Sequence, residues 1–123
     1  MSAVSYAELS ESLREPGKTD LSPVAVAEVL GLQQQELAQL AGVHRNTMRL
    51  HPESPRVQAL LRNLARVLTA MTQIQPDVTT AVYHIKNTPI PAFEFRTLFE
   101  LIVAGRTDDV LAYVRSVSSG AAG

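Results

Sequence analysis

Five hydrogen-bonding side chains, His44, Arg45, Asn46, Thr47 and Arg49, fall almost consecutively along the chain. An arginine can grip guanine and an asparagine can grip adenine with two parallel hydrogen bonds, so this cluster has the chemistry of base reading. Gln34, a little upstream, has the reach to hold a phosphate. That is recognition chemistry. Groups that would break bonds are not apparent. The three histidines, His44, His51 and His84, have no cysteine and no close acid to complete a metal site. Asp108 and Asp109 are adjacent, and neighbours on a helix point about 100° apart, which suits capping rather than acid–base work. There is no glycine-rich phosphate loop, nucleophile elbow or zinc motif. The expectation is a protein that is not an enzyme and uses no metal or cofactor.

The charge distribution agrees. The net charge is −1, yet residues 32–66 carry Arg45, Arg49, Arg56, Arg62 and Arg66 against only Glu36 and Glu53. The segments on either side each carry five acids. A local basic face can bind DNA phosphates on a neutral chain. The plainer reading is a set of solvated helix surfaces, and the Arg62–Arg66 pair in particular fits one. Apolar residues make up 46% and aromatics 5%, without tryptophan, so aliphatic side chains must build the core. The absence of cysteine rules out disulfides and suits a reducing cytoplasm. No apolar run reaches the roughly 18 residues of a membrane span. The acidic, polar start does not read as a secretory signal. A cytoplasmic protein without a membrane partner is expected.

The elements that must position these groups are helical. Residues 1–21 mix Ser, Glu, Pro and Gly and read as a flexible N-terminal arm, with at most a turn or two of helix over Tyr6–Leu13. Ser22 caps a helix with Pro23 at its first position and Gly31 as its stop. Two short helices follow, over Gln34–Ala41 and His44–Leu50, and a His-Pro-Glu-Ser-Pro turn. Arg56–Ile74 is the longest helix, with Val57, Leu60, Leu61, Leu64, Val67, Leu68 and Met71 forming one stripe. Asp77 caps a further helix to about Lys86, and residues 87–91, with two prolines, form a loop. Thr97 opens another helix that stops at Gly105, and Thr107 or Asp108 caps the last. Residues 118–123 read as a flexible Ser/Gly/Ala tail. No segment reads as a strand. The domain reading is an arm (1–21), a helix-turn-helix domain (22–75) and a C-terminal helical domain (76–123).

Residues 31–50 meet the demands of a helix-turn-helix. Small Ala38 lets a second helix approach, Gly42 occupies the turn, and Val43 fills the angle. Leu37 and Met48 point inward, and Leu50 or His51 must fill a further inward position. The polar cluster 44–49 is then presented at the end that repressors insert into the major groove. The competing reading is a helix-turn-helix kept only as a packing scaffold.

With Gly31-Leu32, Gln34, Glu36-Leu37-Ala38, Ala41-Gly42-Val43 and Arg45, this segment resembles the Xre family of phage-repressor-like proteins. His44 departs from the Ser or Thr that usually caps the second helix there. A second resemblance follows in order. Thr88-Pro89, Pro91-Ala92, Arg96-Thr97, Glu100-Leu101 and Gly105 match the C-terminal domain of the MbcA/ParS/Xre antitoxin family, while Phe93-Glu94-Phe95 replaces its Leu and Gly-rich step. Together these imply an all-α protein: an Xre-like helix-turn-helix bundle followed by a small toxin-binding module. The resemblance implies an antitoxin of a type II toxin–antitoxin pair. Such an antitoxin covers the active-site cleft of a cognate RES-domain, NAD-consuming toxin and represses its own operon by binding operator DNA. The DNA-binding set is Gln34, His44, Arg45, Asn46, Thr47 and Arg49. The toxin-binding set is Arg96, Arg106, Val114, Arg115, Val117, Ser118 and Ser119. Val114 and Val117 would supply apolar contact, and Arg106 or Arg115 charge. A homodimer, or a hetero-oligomer with the toxin, is the expected assembly. The alternative function is a stand-alone Xre-family transcriptional regulator whose C-terminal half only dimerises.

Overall fold

A computed structural model describes residues 5–120. Among them all regular structure is helical. The order is α1 (Tyr6–Leu13), α2 (Pro23–Leu30), α3 (Gln34–Ala41), α4 (Arg45–Leu50), α5 (Pro55–Thr72), α6 (Val78–Asn87), α7 (Leu98–Val103) and α8 (Thr107–Ser118), with a single 3-10 turn at Pro91–Phe93. Two isolated antiparallel bridges, Arg14 to Leu21 and Ile90 to Arg96, close loops and build no sheet. No described helix is long and apolar enough to cross a membrane.

The chain divides into two compact units, Tyr6–Ala65 and a second one from Arg66 onward. The boundary falls within α5 rather than at the proline that follows it. In the first unit α2 packs on α3 and α3 on α4. Leu9, Leu13, Leu21, Leu30, Leu37, Met48, Leu61 and Leu64 are its largest buried apolar side chains, with Val26 and Val57 beside them. In the second unit α6 packs on α7 and α7 on α8, with Ile85, Leu98, Leu101, Leu111 and Val114 buried. Aliphatic burial of this kind contributes roughly 1.5–3 kcal/mol per side chain, which is how a chain with few aromatics sustains two small cores.

Local chemistry explains most helix ends. The Ser22 hydroxyl accepts the Ala25 N–H at 3.1 Å, and Pro23 opens α2. The Asp77 carboxylate accepts the Thr80 N–H at 2.9 Å. At α7 the Thr97 hydroxyl accepts the Glu100 N–H at 3.1 Å while the Glu100 carboxylate accepts the Thr97 N–H at 3.0 Å, a reciprocal capping box.

Three expectations need correction, and a fourth is met in part. The stretch 1–21, read as a flexible arm with at most two turns of helix over Tyr6–Leu13, carries that helix as α1, but Leu9 and Leu13 are buried and Leu21 is tied down by Gln58 of α5. Neither Thr107 nor Asp108 caps α8. Its N-cap is Arg106, which makes no side-chain capping bond, so Thr107 and Asp108 lie inside the first turn. The supposed tail begins later. Ser118 ends α8, and the Ser118 and Ser119 hydroxyls donate back to the Arg115 and Ser116 carbonyls, each at 3.0 Å. The rest of that segment, 121–123, lies outside the described residues, as does the start of the arm, 1–4. The double-proline loop also holds more order than expected. Its chain passes through the 3-10 turn, and the Ile90 N–H donates to the Arg96 carbonyl at 2.9 Å.

Candidate functional site

The polar cluster expected to read DNA lies on α4 and at its cap. Helix α3 ends where Gly42 takes φ 71°, a left-handed conformation that costs glycine little. The Val43 N–H then reaches back to the Ala38 carbonyl at 3.0 Å. This reversal needs two groups from elsewhere. The Arg56 guanidinium donates from Nη1 to the Gly42 carbonyl at 3.1 Å, anchoring the turn to the start of α5. His44 supplies the cap of α4 with its ring: Nδ1 accepts the Asn46 N–H at 3.1 Å. A ring nitrogen that accepts is unprotonated, so the imidazole proton sits on Nε2.

Of the six residues of α4 only Met48 is buried, at 1% exposure. Arg45, Asn46, Thr47 and Arg49 all face outward, and among the described residues no ion pair occupies either arginine. Arg45 and Arg49 are four apart and share a helix face. Gln34 opens the neighbouring α3 and is half-buried. The structure thus brings His44, Arg45, Asn46, Thr47 and Arg49 together on one short element, with Gln34 on the helix packed against it. The expectation that Leu50 or His51 turns inward fails. Leu50, the last residue of α4, is 61% exposed, and His51, its C-cap, is also exposed, which leaves Met48 as the buried residue of this helix. Leu50 therefore adds an apolar group to the outward set.

The turn after α4 is braced by Glu53, which pairs with His51 Nδ1 at 3.3 Å. Its carboxyl is held below the usual range, first by a backbone hydrogen bond and then by His51.

The residues expected to hold a toxin are less uniform. Arg96 is half-buried and its Nε donates to the Phe93 carbonyl at 3.2 Å, bracing the 3-10 turn. Arg106 pairs with Asp109 at 2.9 Å and lays its guanidinium 5.3 Å above the Phe93 ring. Phe93 in turn meets Tyr113 edge-on at 5.6 Å. Arg106 is therefore partly committed within its own unit. Val114 is 1% exposed, so it belongs mainly to the core and forms part of the wall of an apolar recess. Val117 is half-buried and, with Met71, His84, Ile90 and Tyr113, lines the same open recess of about 260 Å³. Arg115, Ser118 and Ser119 are exposed.

Sequence reasoning missed a different feature of this unit. Glu94 and Phe95 take φ 57° and 64°, two successive left-handed residues that are not glycine. Such residues are strained by roughly 1–2 kcal/mol each. The result places Phe95 at 69% exposure, and Tyr83 (61%) and Val103 (53%) are the other large apolar side chains on the surface of this unit beyond half exposure. The replacement of a Gly-rich step by Phe-Glu-Phe was the only signal in the sequence. Arg56 was missed in a similar way, counted as charge and not as a brace for the turn.

Among the described residues no group of three or more His, Cys, Asp or Glu side chains could hold a metal ion. In comparisons with known proteins, the chain matches no family model, no curated protein and no solved structure.

Proposed function

We propose that the chain is an antitoxin of a type II toxin–antitoxin pair. Residues 31–50 act as an Xre-like helix-turn-helix that binds operator DNA, and the C-terminal unit binds and neutralises a RES-type, NAD-consuming toxin. One observation carries the DNA half. A short helix, seated by a single methionine and started by a braced glycine turn, offers Arg45, Asn46, Thr47 and Arg49 outward with no ion pair to disengage. Base and phosphate contacts need such uncommitted donors. The toxin half draws on the resemblance of residues 87–105 and on the exposed Tyr83, Phe95 and Val103, whose burial against a partner would be favourable.

Co-expression with the neighbouring open reading frame tests the reading. A stable complex, restored growth of cells making the toxin, and tighter operator binding by the complex are the expected results. A partner that neither binds nor harms cells sinks it. The exposed apolar groups of the C-terminal unit equally suit a second copy of the chain, as a stand-alone regulator requires. Full-strength operator binding by the isolated protein, with no partner product, selects that alternative.

A further inference from the structure

Within the first unit, a recess of about 320 Å³ opens between α1, the loop after it, and α5. Tyr6, Ser10, Arg14, Thr19, Gln58 and Arg62 are among its walls, and no acidic side chain lines it.

The recess has a fixed back wall. Gln58 is 3% exposed and its amide is fully engaged. Its Oε1 accepts the Leu21 N–H at 2.9 Å, while Nε2 donates to the carbonyls of Leu21 at 2.9 Å and Pro52 at 2.8 Å. The loop therefore cannot slide along α5 without breaking buried bonds.

Its mouth is cationic. Arg62 is exposed and makes no ion pair among the described residues. Arg14 pairs at 2.6 Å with Glu11, whose side chain is 74% exposed and which lies outside the recess lining. An exposed pair of this kind exchanges readily.

One of its wall residues carries an unanswered polar group. Ser10 is 6% exposed, and its hydroxyl has no hydrogen-bond partner. A serine in a helix ordinarily returns its hydroxyl to a carbonyl of the preceding turn. Ser12, two residues on, does so, donating to Leu9 at 2.7 Å. A buried hydroxyl left unmatched is costly, and a ligand acceptor that the side chain turns to meet would remove that cost.

We propose that this recess binds a small organic anion with an apolar body. A carboxylate or phosphate group is held by Arg62 and Arg14 and accepts the Ser10 hydroxyl once that side chain turns toward the recess, while the body lies against Tyr6 and Leu21. The site goes beyond DNA or toxin binding and does not depend on either.

The test uses the full chain, ¹⁵N-labelled, titrated separately with phenyl phosphate, benzoate, inorganic phosphate and benzyl alcohol. Phenyl phosphate or benzoate is expected to saturate, and which of the two binds tighter identifies the acid group. Shifts should centre on Ser10, Arg14, Thr19 and Leu21. Inorganic phosphate should bind more weakly, and benzyl alcohol should not saturate. Arg62→Gln, an exposed change that leaves the core alone, should weaken binding about tenfold, the scale of a lost charge-assisted bond. Ser10→Ala should also weaken it. Three results overturn the proposal: no saturation by either aromatic anion below about 10 mM, unchanged affinity in Arg62→Gln or Ser10→Ala, or shifts centred on α4 instead. Displacement of phenyl phosphate from these amides by a DNA duplex would assign the recess to nucleic acid and overturn it as well.

Discussion

His44 caps the helix that its own sequence position would be expected to weaken: its Nδ1 accepts the Asn46 N–H at 3.1 Å. The usual serine or threonine does this job with a hydroxyl. Here an imidazole reaches the same donor and leaves its Nε2–H directed elsewhere. Replacing His44 by Ala removes the cap and should cost about 1 kcal/mol of stability in the first unit, whereas His44→Ser should restore it. Urea unfolding of the three chains checks this. Equal midpoints for His44→Ala and the parent would show that the ring bond contributes nothing.

The same helix carries the DNA prediction. Arg45→Ala and Arg49→Ala should each weaken operator binding by roughly 1–3 kcal/mol if the side chain reads a base. Their thermal stabilities should stay near the parent's, because both side chains are exposed and unpaired. Arg56→Ala should behave differently. It releases the Gly42 carbonyl and should lower stability as well as affinity. Fluorescence anisotropy on a labelled operator, alongside melting curves, separates the two patterns. Unchanged affinity in both Arg45→Ala and Arg49→Ala would remove α4 as the reading element.

Several helix ends were legible because their signals are local. Ser22 before Pro23, Gly31, Gly42, Asp77, Thr97 and Gly105 each act within a few residues, and each lies where that chemistry placed a boundary. Most of the α5 stripe was legible for the same reason: Val57, Leu61, Leu64, Val67, Leu68 and Met71 are buried, while Leu60 is only half-buried. What was not legible depends on residues far apart in sequence. Nothing near Leu21 announces that Gln58 will bind both its N–H and its carbonyl, so an ordered segment read as a loose arm. That Val114 is almost wholly buried was not legible either, because an amphipathic stripe does not say which neighbour it faces. Leu50 or His51 read as inward to complete a helix that is one residue short, yet Leu50 ends α4 facing outward. At the candidate DNA site the residue set could be read, but the imidazole cap and the Arg56 brace could not. Both depend on side-chain reach across a turn.

Asp77 makes the fold sensitive to acid in a defined direction. Its carboxyl is held below the ordinary aspartate range, first by the Thr80 hydroxyl, which donates to Oδ2 at 2.6 Å, and then by the Thr80 N–H. The folded state therefore binds this proton less readily than the unfolded state. The cap's contribution is fully present above the unfolded value, near pH 4. It is lost as pH falls from there through the folded value. Asp77→Asn keeps a capping oxygen but does not titrate, so the stability gap between parent and variant should narrow as pH drops below about 4. Carboxyl ¹³C NMR should place the Asp77 titration below that of an exposed aspartate. A titration at or above the ordinary value would remove the effect.

The Glu94–Phe95 step separates strain from docking. Both residues hold left-handed backbone without glycine's freedom, so Glu94→Gly should relieve part of the cost and raise stability by up to about 1 kcal/mol, after the extra entropy of an unfolded glycine is set against the gain. Phe95→Ala keeps the strained backbone and removes only a ring that is 69% exposed, so stability should barely move. If the ring anchors the toxin, complex formation should weaken by about 2 kcal/mol or more, as for a buried aromatic at the centre of an interface. Glu94→Gly leaves the ring in place and should bind the partner nearly as the parent does. Paired melts and calorimetric titrations of the two variants decide it. A Phe95→Ala chain that binds its partner undiminished would show that this exposed ring is not the anchor, and a Glu94→Gly chain no more stable than the parent would show that the turn stores no strain.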